Sequence, residues 1–381
     1  MKLGPKYGEE TLSFLDRNGE TCAVRKYLSE HRLKPSGTTL YLLVDRVKKR
    51  PKSSPKCSQA SVTDESKSPS ESSESDIDLE QPSAEAVAAV KSIPASEINF
   101  KDDEKLGEGS TAVVYAGTWG HSEVALKRTV LANKKCADDI AESLRAEVAL
   151  HFQLRHPNIL TVFGICQEFS TITLVCERMH TSVGQLMDDE VNLVLPQKVF
   201  ISREATEGLH ELHRQRIVHG DIKPCNILLS EDYKRVKLCD MGLARVKEDV
   251  RATSGLSSAC GTVPFMSPRM ILKDLNSDFP CDVWAMGGTI TELVSGHDLW
   301  PQPKKEESSK KRVPTLKSAM KKAMRQQEVP PGLIVLLEQQ PKVHAIVAQC
   351  LLYEAYRRPT AALLAQELTE LFEELKQAED A

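Results

Sequence analysis

The chain has 381 residues, too many for one compact module and enough for one large domain with an appendage. Its 50 Lys+Arg against 54 Asp+Glu leave a net charge of -4, so no global field draws it to nucleic acid or to an anionic membrane surface, and neither is an expected partner. The start Met1-Lys2-Leu3-Gly4-Pro5 has no apolar signal core, no run of about 18 apolar residues is present for insertion into a membrane, and ten cysteines without a Cys-x-x-Cys unit read as free thiols. The expectation is a soluble cytoplasmic protein, with the nucleus as the alternative location.

In chain order, Val24, Tyr27 and Leu28 fall at helical spacing, Lys34-Pro35-Ser36-Gly37 reads as a turn, and Thr39-Leu40-Tyr41-Leu42-Leu43-Val44 is strand-like. Residues 1–46 therefore form a small N-terminal segment that resembles part of a ubiquitin-like β-grasp module; the alternative is an extension docked on the main domain or only partly ordered. Residues 47–95 read as a disordered linker. Between Pro51 and Ser83 eleven of 33 residues are serine, with prolines interspersed and an acidic run from Glu71 to Glu80, a composition that buries too little apolar surface to offset chain entropy.

From about residue 96 the pattern becomes globular. Val113-Val114-Tyr115, Glu123-Val124-Ala125-Leu126 and Ile172-Thr173-Leu174-Val175-Cys176 read as strands, and Ala141 to Leu154 as an amphipathic helix. Helical patterns then dominate, from Val199 to His213, Val283 to Val294, His344 to Leu352 and Thr360 to Leu375. A strand-rich first part followed by a helical second part predicts an α+β class.

Four motifs carry chemistry. In Leu106-Gly107-Glu108-Gly109-Ser110-Thr111-Ala112-Val113-Val114, glycines between strand signals let the backbone approach phosphate oxygens, although taken alone such a turn is commonplace. Lys127 ends the next strand and reaches a phosphate if a carboxylate steadies it; Glu147, on the following helix, is the candidate. His219-Gly220-Asp221-Ile222-Lys223-Pro224-Cys225-Asn226-Ile227-Leu228 places in one short loop an Asp able to accept a hydroxyl proton, a Lys able to steady a phosphoryl group and an Asn able to hold Mg²⁺. Asp240-Met241-Gly242 then supplies a second metal ligand in a turn.

The order and spacing of these motifs resemble the eukaryotic protein kinases over roughly Ile98 to Leu371. The resemblance implies a two-lobed fold over residues 96–375, with an N-lobe (96–176) of antiparallel sheet plus one main helix and a mainly helical C-lobe (180–375). It implies ATP in the cleft, beneath the loop of Gly107 to Ala112, with adenine among Leu106, Val114, Ala125 and Leu228, Cys176 as gatekeeper, and hydrogen bonds to the backbone of Glu177 and Met179. Lys127 is then expected to pair with Glu147 and the phosphates, Asp221 to orient the substrate hydroxyl, and Asn226 and Asp240 to bind Mg²⁺. Asp-x-Lys-Pro-x-Asn together with Gly261-Thr262 is similar to the serine/threonine type, in which the Thr hydroxyl meets the catalytic Asp and Lys. His156-Pro157-Asn158-Ile159-Leu160 and the Gly-Asp-Ile-Lys-Pro loop look like the tyrosine-kinase-like and kinase-kinase-kinase branches. The partners implied are proteins bearing Ser or Thr, and the rival reading is a pseudokinase scaffold.

The chain also departs from the family pattern. Ala112 replaces the third loop glycine, Met241 replaces Phe, and His151 stands where Leu is usual. Gly220 replaces the arginine that partners a phosphorylated activation segment, which puts that mode of control in doubt. Arg269 stands where the family has a Glu buried against the arginine matching Arg358; two arginines cannot pair, so one is expected to reach solvent or find another acid. Asp282 is expected to anchor the catalytic loop. Cys176 and Cys239 are either buried small apolar residues or thiols reachable by electrophiles from the cleft. Lys304 to Arg325 holds nine Lys or Arg and two Glu, which reads as a solvated insertion, as a dock for an acidic protein or as a nuclear import signal.

Overall fold

Alternation with a period of two decides the first layer. In Ser122–Val130, Val124 and Leu126 are fully buried on one face, while Ala125 and Lys127 point to the other. The computed structural model describes residues 91–109, 112–130, 148–149, 154–168, 171–240, 261–273, 275–303 and 315–380, and the backbone of 13–15, 21–23 and 245–246. By its contacts the chain divides into Met1–Glu74 and Ser75–Ala381.

In the first unit, β1 (Ser13–Leu15) and β2 (Thr21–Ala23) pair antiparallel, Ser13 opposite Ala23 and Leu15 opposite Thr21. The sequence carries a hairpin signal for this pair, Asn18-Gly19, between the two strands. The expected helix near Val24 to Leu28 and strand at Thr39 to Val44 lie outside the described residues.

The second unit begins with a five-stranded antiparallel sheet of β3 (Ile98–Glu108), β4 (Ala112–Trp119), β5 (Ser122–Val130), β6 (Val162–Glu168) and β7 (Thr171–Glu177), in the spatial order β3-β4-β5-β7-β6. One face packs Ile93, Val124, Leu126 and Val175; the other packs Val148, Leu160, Val162, Leu174, Cys176 and Met179. The expected linker to residue 95 is too long by a few residues. Ile93 is buried at 1% exposure and its amide donates to Ile165 O at 2.7 Å, because an apolar side chain five residues before β3 completes the sheet's outer core.

The helical lobe is organised round α4 (Phe279–Ser295), preceded by α1 (Val183–Asp188), α2 (Leu195–Arg214) and α3 (Pro268–Lys273) and followed by α5 (Leu316–Gln326), α6 (Pro331–Gln339), α7 (Pro341–Cys350) and α8 (Ala361–Asp380). Every residue of α4 from Cys281 to Ser295 is buried, as suits a helix without a polar stripe. Asp278 starts it by accepting from Cys281 N at 3.0 Å. Helices α2, α6 and α7 pack on α4, and α8 packs on α2. Small strand pairs hold the loops of this lobe: β10 (Ile227–Leu229) lies between β11 (Val236–Leu238) and β8 (Thr181–Ser182), and β9 (Ile217–Val218) pairs with β12 (Arg245–Val246). This is the two-lobed α+β architecture expected. No helix among the described residues is long and apolar enough to cross a membrane.

Candidate active site

The loop between β9 and β10 owes its shape to α4. The Asp282 carboxylate, 1% exposed, accepts from His219 N at 2.8 Å and from His213 Nε2 at 3.0 Å through Oδ2, and from Gly220 N at 2.9 Å through Oδ1. Gly220 has φ +82°, a conformation costly for a residue with a Cβ, so glycine suits this bend. His219 is buried. Its Nε2 donates to Cys239 O at 3.1 Å and its Nδ1 accepts from Asp221 N at 3.3 Å, the neutral tautomer that follows from burial driving the imidazole below its ordinary pKa. One imidazole thus ties the loop to the end of β11.

Asp221 is the most constrained group of the loop. Thr262 donates to its Oδ1 from both N and Oγ1 at 2.8 Å, and Lys223 Nζ donates to its Oδ2 at 2.6 Å and to Thr262 Oγ1 at 2.9 Å. A carboxylate offers about four acceptor positions. Three are filled by these bonds, and the fourth, on Oδ2, holds only a long contact from Asn226 Nδ2 at 3.5 Å, which an incoming hydroxyl can displace. Asn226 donates through Nδ2 to Asp221 O at 2.8 Å, and its own carbonyl accepts from Cys239 N at 3.0 Å. Its amide oxygen is left as the side chain's acceptor.

Asp240 has φ +59°, and Lys127 Nζ lies 2.5 Å from its Oδ1. Burial acts to raise this carboxyl, but the charge and hydrogen bond of Lys127 outweigh it and hold the pKa below the ordinary value. Lys127 stands opposite Val114 on β4, which places it beneath the glycine-rich turn. In that turn Gly109 N donates to Ala112 O at 2.8 Å, and a Cβ at Gly107 would meet only open space. Ser110, Thr111, Glu147, Met241, Gly242 and His151 lie outside the described residues.

The expected apolar slot is assembled from both lobes. Ala125, Leu228 and Cys239 pack at the margin of the cluster holding Cys176, Leu160 and Met179. Leu106, at 45% exposure, and half-buried Val114 are contributed by β3 and β4. At the lobe connection the Glu177 carboxylate accepts from Thr161 N at 2.6 Å and from Lys237 Nζ at 2.7 Å, which fixes the backbone on either side. No described residue accepts from the Met179 amide. Cys176 is buried and burial pushes the Cys239 thiol well up, so both fit the small apolar reading better than the electrophile-reactive one.

Two arginines resolve their expected conflict separately. Arg269 Nη1 reaches Asp278 Oδ2 at 2.8 Å, with side-chain exposures of 42% and 30%. Arg358 stays buried, donating to Leu352 O at 2.8 Å and Pro280 O at 2.7 Å while lying over the Trp284 ring. Sequence reasoning singled out neither Asp278 nor His213 nor Lys237. Only Asp278 had a local signal, the Asp-x-Pro start of a helix.

The protein kinase domain family matches residues 100–369, and the chain belongs to that family. Three curated proteins that it resembles carry serine/threonine-protein kinase names. It is 31% identical over 217 residues to the RasGEF domain-containing serine/threonine-protein kinase X of Dictyostelium discoideum, covering 56% of this chain and 22% of that protein. To serine/threonine-protein kinase CTR1 of Arabidopsis thaliana it is 29% identical over 283 residues, 71% of this chain and 31% of the relative. To the putative serine/threonine-protein kinase/receptor R826 of Acanthamoeba polyphaga mimivirus it is 33% identical over 202 residues, 51% and 12%. The chain therefore spans less than a third of the length of each of these three relatives.

Proposed function

We propose that the protein transfers the γ-phosphoryl group of ATP to serine or threonine hydroxyls of protein substrates. The observation that carries this reading is the Asp221 carboxylate, held on three of its acceptor positions by Thr262 and Lys223 and left with one. Asp221 accepts the hydroxyl proton as the oxygen attacks, and Lys223 balances negative charge beside it. In this reading Lys127, which pairs with Asp240, also binds the α- and β-phosphates, and the apolar cluster around Ala125, Leu228 and Cys176 takes adenine; what supports it is that these groups line one cluster and one ion pair. Asn226 and Asp240 present oxygen donors of the kind Mg²⁺ takes, too few for a cage of their own and suited to an ion whose remaining ligands are phosphate oxygens and water. Bound Mg-ATP supplies the electrophilic phosphorus and the leaving group. Incubation with labelled ATP and a protein acceptor is expected to yield phosphoserine or phosphothreonine; label on tyrosine alone would overturn the assignment.

Gly220 carries a second part of the proposal, that activity is independent of phosphate on the activation segment, since no guanidinium precedes Asp221 to pair with one. Replacing Thr253, Ser254, Ser257 and Ser258 together by alanine is expected to change turnover less than about threefold, whereas loss of an ordering charge-assisted phosphate contact worth about 1.5–3 kcal/mol would lower it by tenfold or more. The serine-rich stretch from 47 to about 90 is proposed as a tether between the N-terminal segment and the kinase domain, itself a substrate for phosphorylation.

A further inference from the structure

Helix α5 carries four cations and no carboxylate. Met320 and Met324 turn inward, while Lys317, Lys321 and Arg325 form a row at four-residue spacing, with Lys322 beside it. Lys317, Lys322 and Arg325 are exposed and Lys321 is half-buried. The helix contains no carboxylate, and none of these four cations has an ion-pair partner among the described residues. The elements it packs on, Val263–Phe265 and Pro268–Lys273, contribute Arg269 and Lys273 and no acid.

This arrangement works against the isolated helix. Lys317 sits in the first turn, where the helix dipole disfavours a cation, and Lys317 with Lys321 and Lys321 with Arg325 are like-charge neighbours. An anionic partner relieves all three conflicts. The helix is also well placed for one: Val263–Phe265 directly follows Thr262, whose hydroxyl bonds Asp221, so α5 lies one packed layer from the proposed acceptor position. Four helical residues rise about 6 Å. Alternate residues of an extended chain are about 6.6 Å apart on one face. The row therefore matches an extended segment with carboxylates at every second position.

We propose that α5 docks an acidic segment of the protein substrate, with Asp or Glu at alternate positions, through Lys317, Lys321 and Arg325. This rests on the phosphotransfer reading for its purpose but is tested by binding, which does not need catalysis. The probes are two fluorescein-labelled peptides with one Ser acceptor, one carrying three alternating Glu residues and the other Gln at those positions. Exposed ion pairs contribute modestly, so the full-length protein is expected to bind the acidic peptide about tenfold tighter at low salt, with the preference falling toward parity at about 0.5 M salt.

The same preference is expected in the Asp221→Ala protein, and loss of it in the Lys317→Glu/Lys321→Glu/Arg325→Glu variant. The triple variant should keep the wild-type kcat on the Gln peptide. Lys321→Glu alone should leave Tm equal or raised, because it replaces two repulsions by two attractions, while weakening acidic-peptide binding; a merely structural role for Lys321 predicts a lowered Tm. Equal binding of the two peptides by wild type, a preference retained in the triple variant, or tighter binding of a single-stranded RNA oligonucleotide than of the acidic peptide would overturn the proposal. A wild type that binds the acidic peptide selectively but transfers no phosphate supports the docking site and contradicts the phosphotransfer reading.

Discussion

Asp282→Ala is expected to lower Tm by about 10 °C and to abolish phosphate transfer, the largest stability effect of any single substitution considered. Its carboxylate accepts from two backbone amides and an imidazole in a site 1% exposed. Alanine leaves three donors without acceptors, each at roughly 1–3 kcal/mol, for a total of about 3–5 kcal/mol after partial relaxation. In a domain of this size 1 kcal/mol corresponds to about 2–4 °C. Asp282→Asn should be milder in stability but still impaired, since one oxygen can serve Gly220 N while the amide NH₂ meets the donating His219 N. Thermal unfolding of the three proteins side by side checks the order; an alanine variant within about 2 °C of wild type would mean that the carboxylate does not hold the loop.

Lys127→Ala is expected to reduce phosphate transfer by about 100-fold or more with little change in stability of the nucleotide-free protein. The side chain is 29% exposed and pairs with an Asp240 that is 43% exposed, so its contribution to folding is screened by solvent. Its contribution to phosphate charge is not replaced by any neighbouring cation identified in the cleft, because Lys223 is committed to Asp221 and Thr262. Mg-ATP should raise the Tm of wild type through ligand binding and raise that of the variant distinctly less. Equal thermal shifts combined with equal activity would remove Lys127 from the nucleotide site.

Much of this arrangement was open to sequence reasoning because it depends on residue types at fixed spacings. Asp221, Lys223 and Asn226 lie within six residues, and a loop that short brings them together in almost any closed form. Thr262 is different: it meets Asp221 from 41 residues away, and only the family resemblance indicated that contact. The conflict between Arg269 and Arg358 followed from the family resemblance, which sets the two positions together, but its resolution did not, since Asp278 reads as a helix cap whose second oxygen turns out to hold Arg269.

Groups that act through tertiary contact carried the least signal. His213 falls on an amphipathic helix as an ordinary polar residue and gains its role only because α4 crosses below it. Lys237 sits between Val236 and Leu238 in a short strand, where alternation predicts a solvated lysine; it is instead 7% exposed and paired to Glu177. Ile93 falls within the range read as a linker from its composition, and one buried side chain leaves no periodic pattern to read.

The central claim is that Asp221 handles the proton of a substrate hydroxyl during phosphate transfer. Transfer of labelled γ-phosphate from ATP to a protein acceptor, by wild type and by Asp221→Ala at equal concentration and with nucleotide binding verified in both, tests it most directly. The account predicts transfer by wild type and a fall of at least about 100-fold in the variant. Equal transfer by the two proteins, or none by wild type while nucleotide is bound, would contradict it.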